Sequence, residues 1–334
     1  MGAACIWVMA FHNLCRWPRV FRPLEMLCSH GNVGVDVFLL LSGVGLYYSY
    51  SKYSAEDSTI HKLKDFYWKR IVRLLIPYIF LAGPYYAWYS RDVGIESFIL
   101  NFTQINLFRH GLTTSWYVPA TFIFYLMFPL IYYFQQKEFS IRGHGIERNT
   151  VTLLICLVMF AANAAMLILI PEIYAHFEVA ASRIIIFVIG CGLGREVREK
   201  KKLSETAAFG SMACILLYIY AFYPGVEMPT LWYRMTLIVF GLSAAVTFAY
   251  CFGKLDAHKK IRAFFTFFGE RSLEIYLSHV FLKRVWMYYM DEQIFDRWDV
   301  LAYMCILAAA IAISTAIHPL IKKISSRLLA VSSH

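Results

Sequence analysis

Apolar runs recur along the whole chain, each close to the roughly 20 residues that an α-helix needs to cross a hydrocarbon core of about 30 Å. A backbone in such a core must satisfy its own N–H and C=O groups, because no water is there to do so. The fold class is therefore all-α, a polytopic transmembrane helical bundle. Hydropathy places spans near residues 1–15, 33–50, 70–90, 116–134, 151–170, 180–195, 207–223, 230–252, 266–288 and 300–321, ten in all. Composition agrees: 59% of the 334 residues are hydrophobic and only 16% charged, against about 25% charged in soluble domains.

Charge asymmetry orients the bundle. With the N-terminus in the cytoplasm, the inner segments 51–73, 135–150, 195–206, 253–262 and 322–334 hold 21 Lys and Arg, and the outer loops hold six. The positive-inside rule then puts both termini in the cytoplasm, and the protein is expected in the plasma or inner membrane. The net charge of +10 is accounted for by these basic loops facing anionic lipids, so nucleic acid is not expected as a partner. The eight cysteines are scattered through apolar segments with no C-x-x-C pair, so no metal site is expected. No linker or internal repeat divides residues 1–334, which read as one domain. The run at residues 97–108 is too short and polar to span and reads as an interfacial or re-entrant helix covering the outer side.

Ionisable residues inside spans are costly and mark functional candidates. His12 lies toward the outer half of the first span. Asp36 opens the second, where a carboxylate either caps the helix N-terminus or orients the His12 imidazole and raises its basicity. Arg70 and Arg73, three apart at the inner mouth of the third span, either reach lipid phosphates or grip a polyphosphate with two guanidinium forks. The ninth span carries Glu270, Arg271, Glu274 and His279, with Arg271 and Glu274 spaced for an internal ion pair and His279 near the depth of His12. Arg183 begins the sixth span, ahead of a small-residue stripe at Gly190 and Gly194 suited to close helix packing.

Taken in order, His12, GVDVFLLLSG (34–43), KRIVRLLIPY (69–78), SWYVPATFIFYLMFPL (115–130), RIIIFVIGCGLG (183–194) and SLEIYLSHVFL (272–282) resemble the acyltransferase-3 family of multipass membrane acyltransferases. The resemblance implies transfer of an acyl group, acetyl being the family's commonest, from cytoplasmic acyl-CoA to a hydroxyl of a cell-surface carbohydrate or glycolipid. It makes His12 the catalytic histidine, either as general base or as transient acyl carrier. Arg70 and Arg73 match positions that meet the CoA phosphates, and Asp36, Trp116, Arg183 and His279 match recurring positions, the last three on the substrate side.

Two departures stand out. The family carries an arginine eleven positions before the histidine, on the same helical face about 16 Å nearer the cytoplasm; here that position is Met1. The first helix is expected to be truncated, with the missing arginine upstream. The stretch Ser115–Pro119 also lacks the glutamate found four residues after the serine in one branch, and no esterase-like domain follows. Competing readings are a transporter or flippase, which usually shows repeats and broken helices, and a family member that has lost its chemistry. The acceptor, the acyl chain and the oligomeric state are not written in the sequence.

Overall fold

The computed structural model describes residues 1–13, 27–54, 58–111, 114–141, 144–222, 230–255, 258–290 and 292–331. Parts of the expected outer loops, including Arg16 and residues 224–229, lie outside the described residues. The architecture is a helical bundle: α1 Gly2–Asn13, α2 Val33–Tyr50, α3 Thr59–Tyr89, α4 Ile95–Phe102, α5 Ile105–His110, α6 Tyr117–Gln136, α7 Arg148–Leu169, α8 Pro171–Ala181, α9 Ile184–Arg198, α10 Glu205–Phe222, α11 Thr230–Leu255, α12 Lys259–Glu270, α13 Ser272–Tyr289 and α14 Glu292–Val331. A two-residue antiparallel ladder pairs Ser140–Ile141 with His144–Gly145 between α6 and α7.

Among the described residues, seven segments are long and apolar enough to cross a membrane: Val33–Tyr50, Thr59–Tyr89, Tyr117–Gln136, Arg148–Leu169, Pro171–Arg198, Leu231–Leu255 and Leu301–Ala330. Gly2–His12 and Glu205–Ala221 are shorter apolar helices. Together these correspond to nine of the ten expected spans, and the chain is a multi-pass membrane protein.

The remaining expected span, 266–288, is corrected. The helix breaks at Arg271, leaving α12 and an 18-residue α13 that carries Glu274, Lys283 and Arg284. The expected Arg271–Glu274 pair does not form; Arg271 lies 3.8 Å from Glu270, and Glu274 turns into the bundle to meet His318 Nδ1 at 2.9 Å. Once the backbone breaks, the two residues no longer share a helical face, and the buried Glu274 takes its partner from α14 instead.

The tightest seam joins α2 to α9. A Cβ added at Gly190 would sit 2.1 Å from the Leu40 carbonyl oxygen, and one at Gly43 would sit 2.5 Å from the Phe187 carbonyl oxygen. Only backbones without side chains can approach so closely, which gives the small-residue stripe its packing role. Around this seam Leu40, Phe124, Ile186, Phe187 and Phe240 form the buried centre, with Phe124 stacked on Phe187 at 5.3 Å. A second glycine contact brings α1 onto α2: a Cβ at Gly34 would meet the Ala4 carbonyl oxygen at 2.7 Å. Residues 97–108 do not span. They lie within α4 and α5, held over the end of α3 by Tyr78 Oη donating to the Phe102 carbonyl at 2.7 Å and by Gln104 Nε2 donating to Tyr78 and Tyr86.

Candidate active site

α1 ends in its last turn at His12, and α13 crosses beside it carrying His279. His12 Nδ1 and His279 Nε2 are 2.9 Å apart, with ring centroids 4.9 Å apart. The other nitrogen of His279, Nδ1, lies 2.9 Å from the Ile275 carbonyl oxygen, one turn back on α13. A carbonyl only accepts, so His279 Nδ1 carries the proton and donates. In the neutral ring Nε2 is then bare, and the hydrogen between the rings belongs to His12 Nδ1. That leaves His12 Nε2 with a free lone pair. By elimination, the site holds His12 in the tautomer a general base requires.

Other groups fix the end of α1. Lys283 Nζ donates to the His12 carbonyl at 2.5 Å, and Tyr303 Oη donates to the Met9 carbonyl at 2.7 Å. Both answer orphan carbonyls of the last helical turn. His279 is 0% exposed, whereas His12 is half-buried.

A cavity of about 150 Å³ runs from His279 along α1 toward Met1 and Ser272, walled by Cys5, Val35, Phe38 and Leu74 with the hydroxyl-bearing side chains of Ser42, Tyr117, Thr121, Tyr125 and Tyr276. Arg70 and Arg73 lie outside the lining of this cavity, on the part of α3 toward the Lys/Arg-rich end of the bundle. Arg70 Nη2 donates to Ser49 Oγ at 2.7 Å, and its Nε is buried with no hydrogen-bond partner among the described residues. Arg73 is exposed.

Asp36 is placed elsewhere. Its carboxylate stands 3.2 Å from Arg183 Nε, with Asp36 1% and Arg183 3% exposed, so the expectation that it orients His12 is corrected. The reason is helical phase. Val35 and Phe38 face the cavity, and a step of one residue turns Asp36 about 100° away, toward α9 and α11. The pair makes an ion contact without hydrogen-bond alignment: neither Asp36 oxygen has a hydrogen-bond donor among the described residues. Arg183 also donates Nη1 to the Val179 carbonyl at 2.8 Å and lies over the Trp116 ring, 5.5 Å from its centroid. Beside it, Arg234 bonds Glu178 at 2.7 Å, so two acids and two guanidinium groups balance within the bundle. Trp116, Arg183 and Asp36 thus form one cluster, and His12 and His279 form another.

Among the described residues no group of three or more His, Cys, Asp or Glu is placed to hold a metal ion. The model of the acyltransferase-3 family, described as an acyltransferase domain, matches residues 2–318. The chain belongs to the acyltransferase-3 family. No curated protein and no solved structure matches it. As a family member it is an acyltransferase, and the match spans nearly the whole sequence.

Lys283 was not among the expected site residues, although it sits four positions after His279, on the same helical face. That spacing is a readable signal. Tyr303 had none, because it reaches Met9 from the far end of the sequence.

Proposed function

We propose that this acyltransferase moves a short acyl group, acetyl first among them, from acyl-CoA at the cytoplasmic, Lys/Arg-rich end to a hydroxyl of a cell-surface or lipid-linked carbohydrate presented at the opposite end. The protein sits in the plasma or inner membrane with both termini in the cytoplasm. The observation that carries the reading is the 2.9 Å contact between His12 Nδ1 and His279 Nε2, beside the central cavity that His279 lines; with His279 Nδ1 given to Ile275, it leaves His12 Nε2 as the base.

The chemistry follows from that nitrogen. The acceptor O–H donates to His12 Nε2, and as the oxygen attacks the thioester carbon the proton passes to the ring. His12 then holds a positive charge, which the His279 Nε2 lone pair faces directly, while the Ile275 carbonyl polarises the His279 ring from its Nδ1 side. Collapse breaks the C–S bond, the thiolate recovers the proton, and an ester and free CoA result. Arg70 and Arg73 suit the donor phosphates, since the buried Arg70 Nε lacks a partner that a phosphate oxygen would supply. The cavity favours a short acyl chain: about 150 Å³ accommodates a benzene-sized group.

The test is CoA release from acetyl-CoA by the purified protein in the presence of candidate glycans. His12→Ala is expected to reduce turnover by about 10²- to 10⁴-fold with yield and melting temperature retained. Full turnover in that variant would move the base elsewhere.

A further inference from the structure

Where α3 ends, at the opposite end of the bundle from Arg70, a second and larger hollow opens between α3, α4, α5 and α13, with a volume of about 720 Å³. That lies within the roughly 300–1,000 Å³ typical of small-molecule sites. Its walls are unlike those of a lipid pocket. Val93 is the only aliphatic side chain among its described lining residues; the others are mainly aromatic or polar.

The aromatic members are held in place. Tyr85 stacks on Phe281 with centroids 4.2 Å apart and planes 15° apart, and Trp88 meets Tyr288 edge-on at 5.2 Å. Arg91 is fully engaged: it pairs with Asp92 at 3.0 Å, donates to Tyr289 Oη at 3.0 Å and lies over Trp88. Asp92, the only acid among the described lining residues, is thereby neutralised. Among the polar groups of the wall, Asn106 and Arg284 bear most on what could bind. Asn106 donates Nδ2 to Asn101 Oδ1 at 3.0 Å, but its own Oδ1 is buried without a hydrogen-bond partner among the described residues. Arg284 lines the same hollow, exposed, and no acid among the described lining residues is left to meet it.

We infer that this hollow is the acceptor site and that it takes a sugar bearing a carboxylate, such as a uronic acid residue. The inference rests on the acyl-transfer reading above and names its substrate class. Tyr89, in the same wall and exposed, offers an electron-rich ring face to the positively polarised C–H groups of a pyranose ring. A sugar hydroxyl donates to the orphan Asn106 Oδ1, and the Arg284 guanidinium grips the carboxylate through two parallel N–H bonds. A neutral sugar would leave Arg284 without its partner. A lipid chain would leave the polar wall unsatisfied.

The hollow is also within reach of the base. Arg284 follows His279 by five residues on α13, a rise of about 7.5 Å. The Thr114 carbonyl, in the wall of the hollow, accepts from Tyr276 Oη at 3.4 Å, and Tyr276 lines the central cavity beside His279. A sugar held here therefore lies one to two helical turns from the histidine pair.

The experiment is calorimetric titration of the detergent-purified full chain with three probes: a glucuronate-containing disaccharide, its glucose counterpart and a phosphorylated glucose disaccharide. The glucuronate probe should bind at least about tenfold more tightly than the neutral one, the increment of one charge-assisted contact. Arg284→Gln should erase that difference while leaving neutral binding intact, and Arg284→Lys should restore part of it. Tyr89→Ala should weaken all three probes alike. Equal affinities in the wild-type protein, or an Arg284→Gln variant that still discriminates, would overturn the assignment, as would tightest binding of the phosphorylated probe. Selective binding by a wild-type protein that never releases CoA would uphold the site and overturn only the transfer chemistry.

Discussion

His279 is a buried histidine whose Nδ1 donates to Ile275 and whose Nε2 accepts from His12. The second ring thus does for the first what a carboxylate does in many acid–base pairs, without bringing a negative charge into the membrane. An ionised carboxylate at this depth would need its own cation, as Asp36 has in Arg183.

The arrangement makes His279 a positioning residue. His279→Leu should cut turnover by about 10²-fold, because His12 is then free to adopt the other tautomer. His279→Gln should recover part of the loss, since its amide oxygen can accept from His12 Nδ1. Steady-state CoA release separates the two outcomes: equal activity in both variants would mean that the ring only fills space.

Arg70→Ala and Arg73→Ala should raise the KM for acyl-CoA and leave the KM for the acceptor nearly unchanged, the pattern of a lost donor contact. Each removes a charge-assisted contact, and about tenfold in donor KM is the expected scale. An unchanged donor KM would return both side chains to a role at the lipid headgroups.

For the ion pair in the bundle, Asp36→Ala leaves Arg183 buried and uncompensated and should cost about 3–5 kcal/mol of stability. The double replacement Asp36→Leu with Arg183→Met should recover most of it. Melting in detergent reads both. If the double variant is stable yet inactive, the pair serves the reaction as well as the fold; if it is stable and active, the pair is structural.

The α2–α9 seam permits a paired comparison. Gly190→Ala drives a methyl group into the Leu40 carbonyl and should lower folded yield sharply. Gly210→Ala, in the middle of α10 where an added Cβ meets nothing within 4 Å, should be neutral or stabilising by roughly 0.5–1 kcal/mol. Equal melting temperatures for the two variants would refute the close packing.

Much of this was legible in the sequence because hydropathy is a one-dimensional signal. The apolar runs, the non-spanning character of residues 97–108 and the similar depth of His12 and His279 all follow from position along the chain. What needed three dimensions was rotation. Asp36 and Val35 are neighbours in sequence, yet one faces Arg183 and the other the cavity. The break at Arg271 was hidden because a charged residue inside an apolar stretch reads equally as an internal ion pair. The aromatic hollow was hidden for a different reason: its walls come from residues near 85–92 and 284–288, which nothing in the sequence joins.

Contact between the Leu40 carbonyl and Gly190 leaves no side chain to act as a bearing between α2 and α9. A carrier that exposes its cargo to each side in turn needs helices able to rock past one another, and this joint is welded. Close packing of that kind suits a workbench better than a turnstile: in the proposed reaction the two substrates do the travelling, one from each side, and the histidine pair waits at a fixed address between them.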